Sequence, residues 1–315
     1  MPVMPGNWNH LLEPIVKEIF DLVANRPDPM RDILYRVESS DRAIDRRIGM
    51  GSRRLVPVFD GRISYEDQDA GFRSSIRNYL LTDGLSVART LMEDDQFGTI
   101  NDRITDFSAN YSDTREHDAV QTFVNAFTDS GTNRLGESTN GGDAVALCSL
   151  VHPDSPVNTG STQANEGTLA LSIANADTTR QLMLNWTDDK GKLQGIRPDT
   201  VLVPTELQRQ ALQIFPQSER NIYEPGSAQF DTNLFGRDQG GDPMKVLTWN
   251  RLTDSNAWFM IDSTQMKRHL IWQDRVPPMV ETNIQTNPEL AQWTGRTRYG
   301  SGFRHWAWVF GQNPS

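Results

Sequence analysis

Cysteine is almost absent from this 315-residue chain: Cys148 stands alone. No intrachain disulfide can form, which suits a reducing compartment. Lysine is nearly as scarce, with Lys17, Lys190, Lys192, Lys245 and Lys267 against 26 arginines. The planar guanidinium suits ion pairs held between surfaces, although an arginine-rich genome produces the same bias. No run approaches the ~18 apolar residues of a membrane span. The opening Met1, Pro2, Val3, Met4 and Pro5 leads into no basic segment and apolar core, so neither membrane nor signal peptide is expected. Positive charge is short as well, the net charge being −10, which argues against a dedicated nucleic-acid binder.

Motifs of catalysis are missing too. There is no Gly-x-Ser-x-Gly elbow, phosphate loop or dinucleotide fingerprint. The five histidines, His10, His117, His152, His269 and His305, are scattered singly. Glu116, His117 and Asp118 are adjacent on a helical pattern and point in different directions, so they cannot share a metal. Asp231, Asn233, Gly236 and Asp242 have spacings like a calcium loop, but Phe235 occupies a ligand position and Asp242 stands where a bidentate Glu is wanted. No catalytic residue, metal or cofactor is expected. The rival reading is a carbohydrate-active enzyme using eight Trp and a pair among 41 carboxylates. Its weakness is that most Trp sit in strand or helix patterns, where core packing is the default.

What is present is organised around residues 94–127. Ile100, Ile104, Phe107 and Tyr111 recur at helical spacing, with Thr99 as a cap, and Val120, Phe123, Val124 and Phe127 make a second stripe about half a turn round. Such a helix is a strut between two layers. Asp113 and Glu116 resemble a capping box, so two helices broken near Tyr111 are the alternative.

Ahead of it, residues 8–25 form an amphipathic helix (Leu11, Leu12, Ile15, Val16, Ile19, Phe20, Val23) with Pro14 tolerated in its first turn. It docks on its own subunit or on a neighbour. Met30, Ile33, Leu34 and Val37 suggest a short second helix. Residues 49–92 read as an extended, charged hairpin with strands at 55–59, 62–65 and 75–81, a turn at Asp60 and Gly61, and a boundary at Asp83 and Gly84. Between Arg26 and Arg62, nine Arg stand against six Asp or Glu, leaving −13 for the rest. Alone, such a hairpin is marginal in water, so it needs a surface to lie on.

Beyond the strut, residues 144–151 read as a buried strand or short helix. Residues 170–265 have an α/β pattern: a helix at 178–186, a strand at 199–204, a helix at 205–215 capped by Thr205, and strands at 245–252 and 257–262. Strands at 269–273, 279–283 and 303–310 close the chain. In the last, Arg304, Trp306, Trp308 and Phe310 share one face and His305, Ala307 and Val309 the other, as in a central strand.

This order of parts resembles the major capsid proteins of tailed phages, with the Hong Kong phage-type capsid fold, and most nearly the major head subunit of Mu-like prophages. The likeness rests on the joint order of the loop, the acidic turn Glu93, Asp94, Asp95, Gln96, Phe97, Gly98, the segments 147–153 and 197–204, and the closing 298–311, and covers about 49–313. It implies an α+β fold with an N-terminal arm (1–48), an extended loop (49–92), a spine helix and peripheral domain (93–169), an α/β axial domain (170–265) and a peripheral sheet with the C-terminus (266–315). It further implies a structural subunit of an icosahedral head shell, assembled from hexamers and pentamers in the host cytoplasm and enclosing dsDNA without sequence-specific contacts. Assembly contacts are expected from Trp8, Leu12, Ile15, Ile19 and Phe20 of the arm and from Arg53, Arg54, Asp60, Arg62 and Arg73 of the loop. A scaffolding protein, the portal and a decoration protein are the expected partners. Residues 49–92 contain no Lys, so the isopeptide crosslink of some members is not expected. A protein-loaded cellular compartment with the same fold is the alternative.

Overall fold

A computed structural model describes residues 9–24, 30–63, 65–88, 90, 94, 98–157, 161–215, 235, 244–283 and 290–314. The strut is one unbroken helix, α3 (Gly98–Val124), preceded by α1 (Asn9–Ala24) and α2 (Arg31–Leu34). No break occurs near Tyr111, and Thr99 lies inside the first turn, not at a cap. The two stripes enter different cores. Ile100, Ile104, Phe107 and Tyr111 pack with Val16, Phe20 and Ala24 of α1 and with Trp293, while Val120 and Phe123 pack with Leu202, Trp249, Phe259, Trp272 and Trp308.

Between the stripes, where the apolar face changes sides, charged residues of α3 are buried and partnered. Arg115 donates to both carboxylate oxygens of Asp274 at 3.0 and 2.8 Å. Glu116 accepts the backbone N–H groups of Met30 and Arg31 at 3.2 and 3.1 Å. Asp118 takes a bidentate pair from Arg134 and the Tyr299 hydroxyl at 2.6 Å. Glu116 and Asp118 thus face different partners. A buried carboxylate is tolerable only with its acceptor sites filled.

Along one flank of α3 lies a four-stranded sheet, in order β1 (Arg36–Ser39), β11 (Leu270–Asn283), β12 (Leu290–Phe303), β4 (Tyr79–Ala88), with only β1 parallel to its neighbour. Val37 therefore belongs to a strand and not to a second helix, because α2 ends at Leu34. Asp83 and Gly84 lie inside β4, paired with Gly295 and Thr294, and do not bound it. The strands expected at 269–273 and 279–283 are one 14-residue strand. Two β12 glycines are fixed by close approach: a Cβ on Gly295 would overlap the Tyr111 ring, and one on Gly300 the Arg77 carbonyl.

A short antiparallel pair, β5 (His152–Pro153) and β6 (Thr162–Gln163), comes next in the chain, and a five-stranded sheet covers the other end: β7 (Glu166–Gly167), β13 (Val309–Gln312), β10 (Trp258–Ile261), β8 (Thr200–Val203), β9 (Lys245–Thr248). On one face Val201, Val203, Met260 and Phe310 meet α4 (Ile173–Leu184) and α5 (Gln208–Ile214); on the other Leu202, Phe259 and Val309 meet the second stripe of α3. Thr205 does not cap α5 but begins a 3-10 turn, Thr205–Leu207. The aromatic run 303–310 is not a single strand. Arg304 to Trp308 make a turn, with the Trp308 N–H donating to the Trp306 carbonyl at 2.6 Å, and only β13 goes on into the middle of this sheet. Residues 144–151 hold neither strand nor helix. Their buried backbone is satisfied individually: Cys148 N–H donates to the Ala126 carbonyl (2.8 Å) and Ser149 N–H to Asn165 Oδ1 (2.8 Å).

The extended segment pairs only at its base, where β2 (Ile44–Met50) runs antiparallel to β3 (Ala70–Arg77). Residues 51–63 and 65–69 form no strand, against the expected pairing of 55–59 with 62–65. A two-stranded tip has no third layer to bury either face of its strands, so it lacks what makes a hairpin stable.

Candidate assembly surfaces

The tip gathers apolar side chains in water. Leu55, Val56, Val58, Phe59, Ile63 and Tyr65 are 73%, 94%, 93%, 73%, 72% and 91% exposed. The ends of the loop are nevertheless tied. Gly51 N–H donates to the Asp69 carbonyl at 2.9 Å, Ser52 N–H to Asp189 Oδ1 at 2.9 Å, and Lys190 pairs with Asp69 at 3.2 Å. The expected turn is present: Gly61 has φ +93°, a value that favours glycine, and the Arg62 N–H donates to Asp60 Oδ1 at 3.2 Å. Arg54 pairs with Glu66 at 3.2 Å. Arg53, Arg62 and Arg73 are exposed and form no ion pair among the described residues.

At the base, Asn78 is the pin. Its buried amide donates to Ser40 Oγ (3.1 Å) and the Arg42 carbonyl (2.8 Å), and its N–H to the Ala43 carbonyl (2.9 Å). Arg47 binds Glu38 and Asp45, both at 2.6 Å. Burial opposes ionisation there, but the hydrogen bonds and charge of Arg47 hold both carboxyls below their usual range.

Of the arm residues, Phe20 is spent inside the subunit, 0% exposed against Phe107 and Tyr111 at 5.7 and 5.2 Å between ring centroids. As folded, it presents no surface to a neighbour. Ile19 is half-buried; Ile15 (41%) and Leu22 (77%) face outward. Trp8 and the Leu12 side chain lie outside the described residues. Sequence reasoning weighted the charges of the loop and passed over Leu55, Val56, Val58 and Phe59 as strand formers; their signal was an apolar run with no sequence neighbour able to cover it.

Nothing here favours sugar chemistry. The seven tryptophans described are all buried, at most 5% exposed. Among the described residues no group of three or more His, Cys, Asp or Glu could hold a metal. His152 is enclosed, with Nδ1 2.7 Å from Asp143 Oδ2 and its ring stacked on Trp306.

The body holds three hydrophobic cores, and the loop sets an apolar tip out in solvent, the form of a structural subunit. Its fold is that of phage capsids. It matches the capsid of the cyanophage P-SCSP1u (TM-score 0.57, 9% identity, 90% of this chain and 87% of that one) and the mature capsid of bacteriophage PhiM1 (0.55, 11%, 89% and 85%). It also matches a virus-like particle from Pyrococcus furiosus (0.52, 8%, 95% and 98%). No curated protein matches the sequence. The family model described as "Phage capsid protein" matches residues 82–310. The chain belongs to that family: it is a major capsid subunit of a phage head, and thus a component of the virion.

Proposed function

We propose that copies of this chain close into an icosahedral shell of hexamers and pentamers around the dsDNA of a tailed phage, each loop 51–69 lying across a neighbouring subunit. The observation that carries this reading is the exposed apolar tip. Burying side chains such as Val56, Val58 and Phe59 contributes about 1.5–3 kcal/mol each, which an isolated subunit forgoes. In this reading the five-stranded sheet with α4 and α5 is the axial domain meeting its copies around the symmetry axes. The four-stranded sheet with α3 is the peripheral domain. Ile15 and Ile19 of the arm, with Trp8 and Leu12 ahead of them, add contacts to a further subunit, and Phe20 serves by seating α1. Arg53, Arg62 and Arg73 meet carboxylates of the neighbour; exposed pairs of this kind contribute about 0–1 kcal/mol each but recur in every copy. The role is structural and without catalysis. Assembly takes place in the host cytoplasm, with a scaffolding protein and the portal as partners and a decoration protein on the outer face.

Light scattering with negative-stain imaging of the purified protein tests this. Closed shells, or rings of five and six, are expected. A persistent 35.6 kDa monomer, with scaffold present as well, would contradict it.

A further inference from the structure

The ribbon of β2 and β3 covers one of its faces and leaves the other in water. Inward lie Asp45, Arg47, Ser74 and Ile76, buried or half-buried. Outward lie Arg46, Ile48, Arg73, Ser75 and Arg77, all exposed. Pairing fixes their places: Arg46 stands opposite Ser75, Ile48 opposite Arg73, and Ile44 opposite Arg77. Arg46 is thus the diagonal neighbour of both Arg73 and Arg77, with backbone positions about 7–8 Å apart. Three cations share this face, and at that range they repel one another. Arg77 is answered by Glu137 at 3.2 Å. Arg46 and Arg73 have no ion pair among the described residues.

The opposite charge stands on the first half of α3. Asp102, Asp106 and Asp113 are all exposed, and helical periodicity places them within about 40° of one another around the axis. Asp113 holds Arg251 at 2.9 Å. Asp102 and Asp106 have no ion pair among the described residues, and the helical rise sets them about 6 Å apart. Arg103 is the only cation of α3 ahead of Arg115, and it points about 100° away from Asp102. Within one subunit these two surfaces do not meet. Arg73 lines a cavity together with Asp118 and Gln121, whereas Asp102 and Asp106 lie about 24 and 18 Å along the helix axis from Asp118.

We propose that the outward face of the β2 and β3 ribbon docks on α3 of a second copy, pairing Arg46 and Arg73 with Asp102 and Asp106. This rests on the shell reading above, which carries the loop over a neighbour, and it names the surface the loop meets. The spacings agree: two free guanidiniums rooted about 7–8 Å apart meet two free carboxylates rooted about 6 Å apart. Apolar side chains decide between a protein and a nucleic acid as the occupant. Ile48 and Met50 of this ribbon are 62% and 79% exposed, and a protein surface covers such groups where a phosphate backbone does not. Because the two surfaces differ, the contact is head-to-tail, the kind that closes rings. Exposed pairs are individually weak, so this pairing sets register more than affinity.

Exchanging the charges tests this. Arg46→Glu with Arg73→Glu should raise the subunit concentration needed for shell assembly about tenfold or more, and Asp102→Arg with Asp106→Arg should do the same. All four substitutions in one chain should bring that concentration back to within about threefold of wild type. The milder pair Arg46→Gln with Arg73→Gln leaves the subunit's own bonds intact and should raise it about threefold. Wild-type shells with no recovery in the four-substitution chain would overturn the proposal and leave the shell reading standing. Normal assembly of both double variants would do likewise. Empty shells that form normally from the Arg46→Glu, Arg73→Glu chain but fail to retain DNA would overturn it in favour of a nucleic-acid phosphate. Failure of wild-type protein to form shells would overturn the shell reading and this proposal together.

Discussion

Two stretches of similar residues meet opposite fates in this molecule. Val201, Leu202, Val203 and Phe259 are at most 1% exposed between α3 and the helices, whereas Leu55, Val56, Val58 and Phe59 are at least 73% exposed. The chemistry is the same; only the available layers differ. The first group has helices against both faces of its sheet, and the second has none among the described residues. The subunit thus finishes one hydrophobic surface by folding and leaves the other exposed, which is the division of labour the proposed shell requires.

The sharpest way to break the contrast is to strike the finished part. Phe123 touches Trp249, Phe259 and Trp308 at ring-centroid distances of 6.0, 5.5 and 6.2 Å. Phe123→Ala should lower subunit stability by about 3–5 kcal/mol in urea unfolding, and a loss below 1 kcal/mol would show that the core is not continuous there. Acid should act on the same body. Burial, with neighbouring His and Arg charges, holds His269 at about 3, and burial holds His305 at about 4. Both are neutral in the fold, while the unfolded chain protonates below an ordinary His value. Stability therefore falls as pH drops below about 6.5, by at most about 1.4 kcal/mol per pH unit for each His. Thermal melts between pH 7 and 4.5 check the slope, and His269→Asn should flatten it.

Smaller effects belong to the junction. Asn78→Ala removes both amide hydrogen bonds at the base of the loop and should cost about 1–3 kcal/mol, with faster amide exchange of β2 and β3. Smallest for the subunit is the loop itself. Val56→Asp with Val58→Asp should leave subunit stability within about 0.5 kcal/mol yet stop shells from closing in sedimentation. A large loss of subunit stability in that variant would place the loop in the subunit's own core.

Much of the finished part could be read from residue order. The two stripes of α3 announce their faces by spacing, and β8 and β10 show as strands through short apolar runs that carry no face signal, being buried on both sides. The 14-residue β12 did not, because Gly295, Gly300 and Gly302 and the arginines Arg296 and Arg298 depress its strand signal, although its buried and half-buried positions alternate along residues 290–299. Residues 303–310 misled for the opposite reason: aromatic alternation resembled a strand, while the turn at Arg304–Trp308 depends on contacts with His269 and on β13 joining a different sheet. The buried ties of Arg115, Glu116 and Asp118 were hidden because their partners, Asp274, Arg31 and Tyr299, are far away in sequence. The loop tip was misread because pairing needs a covering layer, and the described residues supply none.

The central claim is that the tip of the loop is covered by another copy. Cys148, the only cysteine, is 1% exposed and its thiol is pushed well above its ordinary pKa by burial, so a new thiol can be read without background. Val58→Cys should label rapidly with a maleimide in free subunits and become strongly protected in assembled shells. Equal labelling in both states would contradict the account.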